Sequence, residues 1–512
     1  MAGQDPSDII TDQSVRIPPA EPHQIPDSDL TVTQQDLKPG DLTSGPIART
    51  LLWFALPALG SNVLQSINAS INAVWIGQFI GERGLAATAN ANIVMFMMFA
   101  LVFGFGMAST ILIGQSMGRG DVVGMRRAVG TGMALFVLLG IVVVGIGWTV
   151  SPGLLHLLQT PAGVYPEALI YLRVMFLGLP TGLLTVFLAM ALRGIGDSLT
   201  PLLLMIPGML IDVLLNPVLI RGLGPAPRLG IMGSALATLI ANLSSFIIMI
   251  TAIYVRDLPV RLRGAELRFL LPKKSLASVI VRKGVPMGLQ MIIMSVSALV
   301  MLGLVNGAGT ETVAAYSAAN QLWTYIQMPA VAIGMAVSAM VAQNIGAARW
   351  DRLGRIAYVG VVTNLCMTGG LVLLIALLDH VMLQLFLPRD ARAIAIAHHI
   401  DLVASWSFIL MGVTMVLSAV TRANGATMVP LVIMALAYIP GRLGFAYALR
   451  PSVGVEAIWW SFPVGTALSV ILNALYYFKG GWRKLSLLAS IEEAEEFVQS
   501  EADPTGRMLP NG

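Results

Sequence analysis

The side chains best suited to chemistry in this sequence are polar groups set inside apolar runs. Asp212 stands in Gly208-Met209-Leu210-Ile211-Asp212-Val213-Leu214-Leu215-Asn216-Pro217. Gly208, Asp212 and Asn216 are four apart and therefore share one helix face. Pro207 and Pro217 each remove a backbone donor, and the carbonyls so freed can coordinate a cation or accept from a protonated carboxyl. A carboxylate at the centre of a bilayer costs about 2.5 to 3.5 kcal/mol on insertion scales, so a retained one is a functional candidate. An earlier apolar run carries Asn62, Gln65, Asn68 and Asn72 at spacings of three, three and four, a polar stripe on a helix. Asn72 and Asp212 fall at similar depth in their spans, so the expected cation-coupling set is Asp212, Asn216 and Asn72. Burial disfavours the charge on Asp212, which lets the group alternate between proton-bound and open forms.

Other polar groups are weaker candidates. Arg173 lies in the fourth apolar run, where it can pair with a carboxylate such as Asp212 or reach the interface on its long stem. Asp401 follows His398 and His399 in the tenth run, and a salt bridge or a snorkelling helix end fits it better than coupling. Adjacent histidines point to different helix faces, so no metal site is expected. Substrate contact is expected from Gln65, Asn68, Asn92 and Met95 in the first two runs. In the seventh and eighth runs it is expected from Gln290, Met291, Met294, Asn320 and Trp323. Methionine adapts to varied apolar shapes, although a methionine stripe serves helix packing equally well. Nothing has the spacing of a phosphate loop, a hydrolytic triad or a zinc-binding helix, so neither an enzyme nor a resident cofactor is expected.

These residues need elements to position them, and composition says which. Hydrophobic residues make up 56% of the 512 positions and charged residues 11%, far below the roughly 25% charged residues of a soluble domain. Apolar stretches long enough to cross a bilayer recur from Ile47 to Phe478. Their pattern predicts twelve helices near 50–79, 87–117, 124–151, 165–192, 198–222, 229–256, 280–307, 310–345, 350–379, 393–422, 426–449 and 453–478. The expected domains are a disordered tail over 1–46, a six-helix lobe over 47–256, a basic amphipathic linker over 257–279, a second six-helix lobe over 280–484 and an acidic tail over 485–512. Arg and Lys concentrate in alternate loops, which predicts that both termini are cytoplasmic and that the linker lies on the inner leaflet. The basic residues flank apolar spans, so the partners expected are the bilayer and a small organic molecule, with no nucleic acid. The sole cysteine, Cys366, excludes an intrachain disulfide.

The two halves repeat one another. Gly81, Ala86, Ala87, Asn92, Gln115 and Gly118 recur 228 residues later as Gly309, Ala314, Ala315, Asn320, Gln343 and Gly346. Pro57, Arg126, Arg193, Gly196, Pro201 and Met205 recur 229 later as Pro286, Arg355, Arg422, Gly425, Pro430 and Met434. Six helices per copy is an even number, so both copies point the same way. The expected fold is an all-α integral membrane protein of twelve transmembrane helices in two pseudo-symmetric bundles, with a cavity between lobes that rock. The position matching Asp212 falls at Gly441, beside Arg442, and that matching Asn72 at Val300, so coupling is expected in the first lobe.

Several motifs, in this order and spacing, resemble the multidrug and toxic compound extrusion (MATE) transporters. They are Val74-Trp75-Ile76-Gly77 with Leu85-Ala86-Ala87, Leu192 through Asp197 with Pro201, Asn216-Pro217 and Gly230 through Ala237. The second half adds Ala314-Ala315-Tyr316, Met328-Pro329 and Val341 through Ala347. The resemblance implies an exporter of bulky amphipathic compounds driven by inward flow of protons or sodium, acting as a monomer in a bacterial inner membrane. A flippase for lipid-linked saccharides shares the wider superfamily and is the alternative. Relatives usually carry an aspartate where Asn72 stands, and an Asn followed four residues later by Asp where this chain has Asp212 then Asn216. One carboxylate suits a proton, whereas sodium favours several oxygen ligands.

Overall fold

In the computed structural model each long apolar run is a helix, because a backbone surrounded by hydrocarbon must satisfy its polar groups within its own segment. The structure describes residues 40–485 and 487, apart from 158, 159, 161, 225, 226 and 388–390. The first half contains α1 (Ile47–Phe79), α2 (Glu82–Arg119), α3 (Val122–Leu157), α4 (Tyr165–Gly194), α5 (Leu199–Arg221) and α6 (Ile231–Val255). The second contains α7 (Lys274–Asn306), α8 (Thr310–Gly346), α9 (Trp350–Phe386), α10 (Ala391–Ala404), α11 (Ser407–Ala423), α12 (Met428–Leu436), α13 (Phe445–Val453) and α14 (Glu456–Lys479). Eleven helices among the described residues are long and apolar enough to cross a membrane, α12 and α13 counting as one with the segment between them. The twelfth span is α10 with α11, bent by 40° at their junction. Leu214, Leu377 and Phe478 point outward, as befits a surface solvated by lipid.

Two spans depart from plain helices. At the α10–α11 bend Ser405 N–H still donates to the Asp401 carbonyl, and the Ser405 hydroxyl donates to the Asp401 carboxylate. Between α12 and α13 the chain forms a π-helix, Ala437–Gly444, which contains Pro440 and Arg442. A π turn carries an extra residue and often marks a working site.

Helices of the first half pack mainly on one another, as do those of the second, which is consistent with two six-helix bundles. They meet where α2 lies against α7 and α8, and where α1 lies against α8. Small residues allow the approach: a side chain on Gly104 would strike the backbone of Gly284 and Gly288. One apolar cluster crosses the boundary, joining Leu51, Phe54, Ile111 and Leu112 to Val279, Ile280, Ile333 and Val337.

Residues 40–46 lie at the end of the bundle where α1 begins, called here the tail face. Leu42 is buried there. Its N–H donates to Gln343 Oε1 at 3.1 Å, and its carbonyl accepts from Asn344 Nδ2 at 3.0 Å. Arg352 donates to the Thr43 and Gly45 carbonyls. Gly40 and Gly196 touch backbone to backbone, since a Cβ on either would lie about 2 Å from the other's carbonyl oxygen. Of the expected tail over 1–46, residues 1–39 lie outside the described residues, while the last seven form a strap across the boundary of the halves. Of the expected acidic tail over 485–512, all but Leu485 and Leu487 also lies outside them.

The connection between the halves is a folded element rather than a loose strand. A 3₁₀ helix, Gly264–Leu270, precedes α7 and packs against α3. Arg126 of α3 donates to Glu266 Oε1 at 2.7 Å and to the Pro259 carbonyl at 3.1 Å, with both charged side chains buried. Leu267, Leu270 and Leu271 stay exposed beside Arg268, Lys273 and Lys274.

Candidate functional site

The face shared by Gly208, Asp212 and Asn216 is the buried face of α5. It is held between α1 and α6. Gly208 permits the close approach to α6, since a Cβ there would lie 1.8 Å from Ser245 Oγ. Asn68 and Asn72, one turn apart on α1, therefore reach the same carboxylate from the other side.

Asp212 is only 2% exposed and accepts from four side chains. Asn68 Nδ2 lies 2.9 Å and Asn72 Nδ2 2.7 Å from Oδ2. Asn216 Nδ2 lies 3.1 Å and Thr238 Oγ1 3.2 Å from Oδ1. Asn216 Nδ2 also lies 3.1 Å from Asn72 Oδ1, closing the network. No cationic side chain pairs with Asp212 among the described residues. The Oδ1 atoms of Asn68 and Asn216 are buried without a partner. The site thus holds unused oxygens beside an acid, the donor set that suits a proton or a hard cation.

The structure thereby brings together all three residues of the expected coupling set. Asn68, expected to contact substrate, also joins that network, as does Thr238 of α6. A threonine in an apolar helix gives little signal in a sequence, because its hydroxyl usually bonds to its own helix backbone.

Other expectations change. Arg173 does not meet Asp212; its guanidinium lies 5.0 Å over the Trp148 ring, where an aromatic face offsets the charge. Asp401 forms no salt bridge among the described residues. It is buried and accepts from Trp323 Nε1 at 2.8 Å and Ser405 Oγ at 3.1 Å, because the bend turns it inward. Beside it His398 pairs with Asp379, and His399 bonds to Glu456 at 2.8 Å. Trp323, expected to contact substrate, is buried among Tyr316, Phe408 and Phe462. Met95 and Gln290 are likewise buried, Gln290 accepting from Arg422 at 3.0 Å. Met291 and Met294 are half-buried, and Gln65, Asn92 and Asn320 are exposed. Among the described residues no cluster of His, Cys, Asp or Glu has the makings of a metal site.

At the tail face the repeat becomes visible as geometry. Gln115 Nε2 donates to the Ala423 carbonyl at 2.6 Å, and Gln343 Nε2 donates to the Gly194 carbonyl at 3.1 Å. Gly118 abuts the Gln343 carbonyl, and Gly346 abuts the Gln115 carbonyl. Each half makes the same contact on the other, so this face is closed symmetrically. A cavity of about 420 Å³ lies beside the strap, lined by Asp41, Arg49, Trp53 and Asp197 among others. It is separate from the Asp212 network.

The MatE family model matches residues 57–218 and again residues 286–448, two segments that begin 229 residues apart, the offset of the internal repeat. The chain belongs to the MatE family. Over 463 residues this MatE chain is 34% identical to the "Probable multidrug resistance protein YoeA" of Bacillus subtilis, covering 90% of this chain and 98% of that one. It is 29% identical over 451 residues to the "Probable multidrug resistance protein NorM" of Deinococcus radiodurans, covering 85% and 96%. A solved structure described as the outward-facing conformation of a multidrug resistance MATE family transporter superimposes with a TM-score of 0.80 at 20% identity, covering 88% and 98%. This MatE protein is accordingly a multi-pass membrane transporter with the MATE fold.

Proposed function

We propose that this protein exports amphipathic organic compounds from the cytoplasm in exchange for a cation, with Asp212 as the exchanging group and protons as the favoured cation. The observation that carries the reading is the buried Asp212 carboxylate, held by Asn68, Asn72, Asn216 and Thr238 with no basic partner among the described residues. As an anion it accepts from all four donors. A proton turns one oxygen into a donor, so one of the surrounding amides must then offer its carbonyl instead. That exchange alters how α1 fits α5, and α1 also touches α8 of the other half. Sodium is the alternative cation, with Asn68 Oδ1 and Asn216 Oδ1 as further ligands.

The two bundles then rock about their shared boundary, and the symmetric contacts of Gln115 and Gln343 are made when the tail face is closed. That face is the cytoplasmic one, with the strap and both termini on the cytoplasmic side of a bacterial inner membrane. The protein works as a monomer, since one chain carries both halves, and it needs no resident cofactor.

The test is efflux from everted vesicles under an imposed proton gradient and, separately, a sodium gradient. Wild-type protein should dissipate the proton gradient on addition of a transported dye. Asp212→Asn, at matched expression, should lose that activity. Undiminished proton-driven efflux by Asp212→Asn would remove the carboxylate from the mechanism.

A further inference from the structure

The second half carries a half-buried arginine where the first carries an aspartate. Asp212 maps by the repeat to Gly441, and the extra residue of the π turn advances the register by about one, to Arg442. The Arg442 guanidinium lies 3.7 Å over the Phe462 ring and 5.7 Å from the Tyr438 ring centre. It forms no ion pair or hydrogen bond among the described residues, and its Nε is buried without an acceptor. Asp401, the acid buried in the α10–α11 bend of this half, is engaged by Trp323 and Ser405 and not by Arg442.

An arginine inside a membrane is expensive, and aromatic faces offset only part of that cost. Its five N–H groups form a planar fork that fits an oxyanion. The side chain is partly open although protein atoms surround it, and the π segment around it packs on α14 and α7. Gly465 of α14 leaves room at its base, since a Cβ there would lie 2.8 Å from Arg442 Cβ.

We propose that Arg442 is a specificity-determining residue that binds the carboxylate or sulfonate of an aromatic, amphipathic substrate, so that this transporter accepts organic anions and zwitterions as well as neutral or cationic compounds. The proposal rests on the export reading for its purpose, but the binding site stands or falls by itself. A negative group on the substrate supplies the acceptors that the protein withholds from Arg442.

The experiment uses the full-length protein in nanodiscs of neutral lipid and two xanthene dyes of similar size and opposite charge, fluorescein and rhodamine 6G, followed by fluorescence anisotropy. Wild type should bind fluorescein, and fluorescein methyl ester, which lacks the carboxylate, about tenfold more weakly. Arg442→Gln should weaken fluorescein binding about tenfold and leave rhodamine 6G unchanged or tighter, while Arg442→Lys retains much of the fluorescein affinity. Equal binding of fluorescein and its ester by wild type overturns the proposal without any variant. So does an equal loss of both dyes in Arg442→Gln, or wild-type fluorescein binding no greater than that of empty nanodiscs. Fluorescein binding in nanodiscs without gradient-driven transport of either dye in everted vesicles would instead sink the export reading and leave this site in place.

Discussion

Asn72 donates its side-chain amide to Asp212 Oδ2 at 2.7 Å although 140 residues separate them in the chain. The same amide's oxygen accepts from Asn216, so Asn72 is the hinge of the network and not merely one of its donors. Asn68 reaches only the carboxylate.

That asymmetry ranks two variants. A hydrogen bond to a charged group is worth about 1.5 to 3 kcal/mol, or roughly ten- to a hundredfold. Asn72→Ala should therefore lower the initial rate of gradient-driven efflux about tenfold or more, and Asn68→Ala should lower it less. Rates in everted vesicles at matched protein levels decide the order, and a larger effect from Asn68→Ala would contradict the assigned geometry.

The closed tail face predicts a steric effect. A Cβ on Gly118 would lie 1.9 Å from the Gln343 carbonyl oxygen, so Gly118→Ala must push the halves apart there. Overpacking of this kind costs about 1 to 3 kcal/mol. Gly145 on α3 has nothing within 4 Å, and Gly145→Ala should be neutral or stabilising by up to about 1 kcal/mol. Thermal unfolding of the purified variants in one detergent compares them, with Gly346→Ala expected to behave like Gly118→Ala.

Asp41 makes the strap sensitive to acid. Burial pushes its carboxyl upward, but hydrogen bonds from Ser44 and Thr43 and the charge of Arg352 outweigh this and hold it below the ordinary 3.8. A depressed value in the folded state means the contribution is complete above 3.8 and is lost as pH falls through the lower folded value. At neutral pH Asp41→Asn should reproduce the acid form and speed hydrogen exchange of the peptide containing Leu42 severalfold. Unchanged protection in Asp41→Asn would show that the carboxylate does not hold the strap.

The linker is anchored by a buried ion pair, and breaking one side leaves the other charge stranded. Arg126→Ala should cost about 3 to 5 kcal/mol, measured as a fall in chemical-denaturation stability. A double variant, Arg126→Met with Glu266→Leu, should recover most of that loss, because neither charge then remains buried alone. A double variant no more stable than Arg126→Ala would point to the Pro259 contact as the anchor.

Much of this protein is fixed by its sequence, because the bilayer leaves a long apolar segment one choice, the helix, and length then counts the spans. The repeat was readable for the same reason: Gln115 and Gln343, or Gly118 and Gly346, hold one offset since each serves the same contact on opposite halves. Asp212 was legible as a costly charge in an apolar run, and its four-residue spacing from Asn216 fixed their common face. Which partners reach that face was decided by tertiary packing: Gly208 admits α6 and thereby Thr238, while Arg173 turns to Trp148. The same holds for Asp401, which a bend carries inward to Trp323, and for Arg442, which a π turn presents to Phe462. Local pattern sets the helices, but the direction of a side chain at a bend, and what stands opposite it, depends on contacts between segments far apart in the chain.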